Sequence, residues 1–338
     1  MIGTGENPGL VCQVRAENTS DLGPGSLLQQ ALAKLGCLLA VFQGICALNL
    51  VQAADLGASS LSDTNGATDF KAIEAADDAA QAEVDKWMRQ NREMQAKSGG
   101  DTEAELERRI TERFAPVQKA YADFVRSHPK DARAHLGYGN FLNDRHDELA
   151  AQHQWELALE LDPTNSAVYN NLAGRYSESG PVNKAFDYFA KAIELSPNEA
   201  GYYHNFGDSL YLLRKNAATY YGITEQQVYG RVVLLYSNAL RIDPQNLGFA
   251  RDLATTYYSL KPLPFADARR AWSNTLAIAR EELDREDVYV HLARLEMLAG
   301  RFGKARAQLN AVTNEAIQTV KATLLHNLEQ REKEAAHP

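Results

Sequence analysis

Three prolines set the frame of this sequence: Pro129, Pro163 and Pro197 follow one another at a constant interval of 34 residues. A fixed interval of this length marks an internal repeat whose unit is one supersecondary element. Between Pro163 and Pro197, Tyr169, Leu172, Ala173 and Tyr176 recur at helical spacing. Ala185, Phe189 and Ala192 mark a second helix, which the proline ends because it cannot continue the backbone ladder. One such helix pair cannot bury its own apolar faces, so neighbouring units must stack.

The same order of residues occurs on either side. His135, Tyr138, Gly139 and Leu142 precede Ala151, Trp155 and Ala158; Tyr203, Phe206, Gly207 and Leu210 precede Val232, Tyr236, Ala239 and Pro244. Leu253, Ala254 and Tyr257 pair with Ala268 and Trp272, and Tyr289, Leu292 and Ala293 pair with Gly300, Ala305 and Leu309. The last two copies lack the closing proline, and Glu296 stands where an aromatic is expected. Gly139, Ala173, Gly207, Ala254 and Ala293 are expected to let paired helices approach closely. Trp155, Phe189, Tyr236 and Trp272 are expected to fill the space between one repeat and the next. Position by position, these residues resemble the tetratricopeptide repeat over 131–312. The resemblance implies an all-α fold: a right-handed α-solenoid of antiparallel helix pairs, about five repeats with flanking capping helices, whose concave surface is lined by the first helices.

The flanks read as helical too. Residues 70–130 hold an amphipathic stretch (Ile73, Ala76, Ala80, Val84, Trp87, Met88) and then a degenerate unit with Val117, Tyr121 and Phe124. Thr102 with Glu105 gives a capping-box pattern between the two. Residues 313–338 place Ile317, Val320, Leu324 and Leu328 on one stripe, which suits a C-terminal capping helix. The third repeat carries an insertion of 13 residues between its helices, and Thr224 with Gln227 predicts an early start for its second helix. Both helices are then expected to project, with Tyr220 and Tyr221 on the tip as a candidate contact site; the alternative is that they fold back on the next repeat.

All three cysteines, Cys12, Cys37 and Cys46, fall in the first 50 residues. An apolar run over 35–51, preceded by Lys34, reads as a signal peptide with cleavage after Ala53. The 34 residues before the run resemble no targeting segment, so the true start is expected downstream of Met1. Residues 54–69, rich in Ser, Gly, Asn and Asp, are expected to be a flexible linker. The expected location is periplasmic or secreted, with a cytoplasmic protein as the alternative; a membrane enters only through export or a retained N-terminal anchor.

A formal charge of -9 argues against a phosphate-binding surface, so nucleic acid is not an expected partner. No HExxH, cysteine pair, phosphate-cradling glycine loop or nucleophile elbow is present, and neither an enzyme nor a cofactor is expected. The nearest metal-like grouping, Asp144, His146, Asp147 and His153, falls at a turn where polar residues are ordinary, so no metal site is assigned.

The resemblance implies that side chains on the inner face of the first helices grip an extended peptide. The positions projecting inward are Asn140, Asn143, Asn170, Asn171, Gly174, His204, Asn205, Asp208, Arg251, Asp252 and Tyr258, with Asn171 and Asn205 at equivalent places. An amide both donates and accepts, so it suits a strand-like backbone. Leu136, Gly201 and Asn205 stand where a carboxylate clamp would need bases, so none is expected. The expected function is a non-catalytic scaffold holding a partner polypeptide. The alternatives are a self-assembling structural protein, with residues 70–97 and 314–333 as contacts, or an accessory subunit of an enzyme or transport complex.

Overall fold

Small residues opposite large ones decide how closely these helices pack. In the computed structural model, which describes residues 64–95 and 99–336, a Cβ added to Gly139 would lie 2.5 Å from the Trp155 indole, and one on Gly207 would lie 2.5 Å from the Tyr236 ring. No side chain larger than hydrogen fits at either crossing, and Ala173, Ala254 and Ala293 are fully buried at the equivalent places.

The described residues form fourteen α-helices. α1 (Thr64–Gln95) and α2 (Glu103–Ser127) make the first pair; α3 (Ala132–Asp144) and α4 (Glu148–Leu161) the next. α5 (Ser166–Ser179) pairs with α6 (Val182–Leu195), and α7 (Ala200–Leu212) with α9 (Glu225–Ile242), the short α8 (Arg214–Tyr221) standing between them in sequence. α10 (Leu247–Thr256) pairs with α11 (Phe265–Ile278), and α12 (Glu282–Leu298) with α13 (Phe302–Asn310). α14 (Gln318–Ala336) packs on the last pair through Leu324 and Leu328. Each pair packs on the next, which gives an α-solenoid of antiparallel helix pairs. Among the described residues, no helix is long and apolar enough to cross a membrane.

Local signals account for the helix starts. Thr102 and Thr224 both form complete capping boxes, with Glu105 and Gln227. Asp131, Asp147, Asn165 and Asn246 cap α3, α4, α5 and α10 through their side-chain oxygens.

Two expectations are corrected. α1 begins at Thr64, inside the stretch expected to be linker, because Phe70 is buried against Tyr121 and Phe124, and a helix anchored there extends toward its N-terminus at little cost per residue. The aromatics do not all lie between repeats: Trp155 and Tyr236 cover the glycine of their own pair, whereas Phe189 stacks on Phe206 and Trp272 on His291 of the following pair. Glu296, standing where an aromatic is expected, is 3% exposed, and Arg269 at 2.9 Å and Arg301 at 2.5 Å both reach its carboxylate. The apolar run and the three cysteines lie outside the described residues.

Candidate functional site

The small residue in each first helix provides a common register for the face those helices share. Asn170 and His204 stand three places before it in the second and third repeats; Asn205 and Asp252 stand two places before it in the third and fourth. Asn205 Nδ2 donates to Asn170 Oδ1 over 3.1 Å, and His204 Nε2 meets Asp252 Oδ2 at 2.8 Å. One pair of positions therefore links successive repeats twice, first by amides and then by an ionisable pair.

At the first boundary the corresponding residue is Leu136, which offers no acceptor. Asn171 instead donates to Asn140 Oδ1 over 2.8 Å, and Asn140 also accepts from the Trp155 indole at 3.0 Å. A weak bond of 3.4 Å from Asn170 to Asn171 joins the two halves. The asparagines expected to line the groove thus orient one another, and among the described residues no hydrogen bond joins Asn171 to Asn205.

The ribbon continues beyond the third repeat. Arg251 reaches Asp284 at 2.9 Å and Asp287 at 3.6 Å, and Tyr258 donates to the His291 carbonyl at 3.1 Å. Asn143 hydrogen-bonds the Asp144 carboxylate. Asp284, Asp287 and His291 were not singled out in the sequence; their distances from Arg251 and Tyr258 in the chain are close to one repeat, which is the signal that could have found them.

His204 is the most heavily engaged residue of this face. Asp208, one turn along α7, lies 3.4 Å from its Nδ1, Tyr236 donates to Asp208, and the imidazole packs on Tyr236 and Phe249. Burial pushes the imidazole pKa down, but the bond to Asp252 and the charges of Asp208 and Asp252 outweigh it and leave it above the ordinary value. Burial and the facing Asp252 raise the Asp208 pKa despite His204 and Tyr236. Among the described residues these three are the one group whose donor atoms, one from each, lie within 4.8 Å of one another in a way that suits a metal ion. Asp147 caps α4 and His146 sits in left-handed backbone at the turn.

The insertion does not project freely as expected, although Tyr220 keeps 36% of its surface exposed. The inserted residues form α8, which ends at Gly222 in left-handed backbone (φ 64°), a conformation glycine adopts without strain. Ala217 is fully buried, Tyr220 donates to Asp187 on α6 and packs edge-on against Phe186, and Tyr221 stacks on the same ring. The insertion folds back on the preceding repeat because Phe186 offers an aromatic surface there.

Fold and ribbon together define a tetratricopeptide-type helical-repeat architecture. No family model matches the chain. Protein O-mannosyl-transferase Tmtc1 of Drosophila melanogaster is 32% identical over 85 residues, which is 24% of this chain. The chain spans 10% of that relative's length. Among solved structures, YrrB, described as a TPR protein with an unusual peptide-binding site, is 15% identical, with a TM-score of 0.49 over 63% of this chain and 99% of its own. The C-terminal part of a TPR repeat-containing protein from Cytophaga hutchinsonii is 13% identical, with a TM-score of 0.48 over 73% of this chain and 98% of its own. PilW, described as a widely conserved type IV pilus biogenesis factor, is 18% identical, with a TM-score of 0.46 over 64% of this chain and 94% of its own.

Proposed function

We propose that this chain is a non-catalytic scaffold that holds an extended polypeptide segment along the concave face of its first helices. The observation that carries the proposal is the ribbon of mutually oriented polar side chains from Asn140 to Arg251. Lateral bonds fix each amide in place and use only part of its capacity: Asn140 Nδ2 and Asn205 Oδ1 make no bond within the described residues and are only partly buried. Pre-oriented donors and acceptors engage a backbone with less loss of rotamer freedom than free side chains would. Export directed by residues 35–53 belongs to the same proposal, and the mass of the chain isolated from its source, beginning at Ala54, is its check.

The test is selection of displayed random peptides on the full chain, followed by affinity measurement with Asn140→Ala/Asn205→Ala. Loss of affinity of about tenfold, with helicity unchanged, supports the reading. Selected peptides that bind the variant as well as the parent would contradict it.

A further inference from the structure

The link between the third and fourth repeats differs from the Asn170–Asn205 link in one respect that amides cannot supply: it concentrates negative charge. Asp208 and Asp252 keep 43% and 45% of their side chains open, and among the described residues the one cation in contact with either is His204. Even a protonated imidazole leaves the trio with a net negative charge. Arg251, the nearest guanidinium in sequence, is engaged by Asp284 and Asp287.

We infer that His204, Asp208 and Asp252 form a binding site for a divalent transition-metal ion, with zinc the ion their donor set fits best. His204 and Asp208 stand four residues apart on α7, so both project from one face of the helix, and Asp252 enters from α10. Zinc takes imidazole nitrogen and carboxylate oxygen at about 2.0–2.2 Å in a tetrahedron, which places neighbouring donors about 3.4 Å apart. One donor atom from each of the three residues lies within 4.8 Å of the other two; Asp252 meets Nε2 at 2.8 Å and Asp208 meets Nδ1 at 3.4 Å, so one ring nitrogen ligates the ion and side-chain rotation brings the second carboxylate round to it. The imidazole donor argues against calcium and magnesium, which prefer all-oxygen sets.

Supporting contacts are in place. Tyr236 holds Asp208 by its hydroxyl, and Phe249 and Tyr236 fix the imidazole plane. Three protein donors leave a fourth position open toward the shared face of the first helices. The ion would also tie α7 to α10 across the boundary that follows the 13-residue insertion. The inference stands apart from peptide binding, because it is read with the metal alone.

The test uses the full chain, freed of metal by a chelator and titrated with zinc by calorimetry. One equivalent bound, weakened by at least about tenfold in His204→Gln, Asp208→Asn and Asp252→Asn and unchanged in His153→Gln, is the expected result. Cobalt in place of zinc should give the visible absorption of a four-coordinate ion, lost in the same three variants. A variant-free measurement protects against misfolding: diethylpyrocarbonate should modify His204 less when zinc is present and His153 equally with and without it. A zinc stoichiometry and affinity identical in parent and variants, no zinc bound by the parent, or His204 modified equally in both states would overturn the assignment.

Discussion

Asn171 Nδ2 donates to Asn140 Oδ1 over 2.8 Å, across the first boundary between repeats. The same acceptor takes the indole of Trp155, which is 4% exposed. Asn140 is thus the point where packing within a repeat and register between repeats meet. Asn140→Ala leaves a buried indole N–H without its partner and should lower the unfolding free energy by about 2 kcal/mol, whereas Asn171→Ala should cost about 1 kcal/mol. In urea denaturation the two changes should couple by about 0.5 kcal/mol or more; strict additivity would contradict the bond.

Gly207 lies under Tyr236 so closely that a methyl group has no space. Gly207→Ala should destabilise the chain by about 1–3 kcal/mol despite the better helix propensity of alanine. Combining it with Tyr236→Leu, which clears the ring, should give a loss smaller than the sum of the two. Thermal unfolding of the three variants checks this.

Glu296 is buried while its partners Arg269 and Arg301 keep 50% and 42% of their side chains open. Removing both arginines leaves a buried carboxylate uncompensated and should cost about 3 kcal/mol or more. Glu296→Gln leaves two hydrated guanidinium groups instead and should cost less. Guanidinium denaturation that ranks the two the other way would refute the ion-pair account of this position.

Much of the fold could be read from the chain because its determinants are local or periodic. Gly139, Ala173 and Gly207 fall at the repeat interval, and Thr102 with Glu105 lies within one helical turn. The site was legible only as a set of inward positions. Asn140 bonds to Asn171 because Leu136 lacks an acceptor, and His204 meets Asp252 across 48 residues because the insertion stretches the interval. Tyr220 and Tyr221 were misplaced for a related reason: nothing in their own sequence reports that Phe186 and Asp187 lie beneath them. Each of these depends on a side chain in another repeat that no local pattern specifies.

His291 is buried, stacked 3.9 Å from Trp272, and its pKa is pushed down to about 3 by burial and by Arg294 and Arg251. Asp287 lies 3.9 Å from its Nε2 and Tyr258 packs beside it, but Asp287 is shared with Arg251. The imidazole stays neutral in the folded chain, while the unfolded chain takes up a proton below about pH 6.5. Stability should therefore fall with pH between about 6.5 and 3, by about 1.4 kcal/mol per pH unit from this group. In denaturant titrations the difference between pH 6.5 and pH 5 should shrink by about 2 kcal/mol in His291→Gln. An unchanged difference would mean that the group is not buried neutral.

The most direct test of the scaffold account places a photoreactive side chain at position 174. A Cβ at Gly174 on α5 meets no atom within 4 Å, and the same holds at Gly230 on α9, a second helix. A probe therefore fits at either position without disturbing the fold. With a peptide selected on the full chain, illumination should cross-link it from position 174 and not from position 230. Equal labelling from both, or labelling from 230 alone, would contradict binding along the face of the first helices.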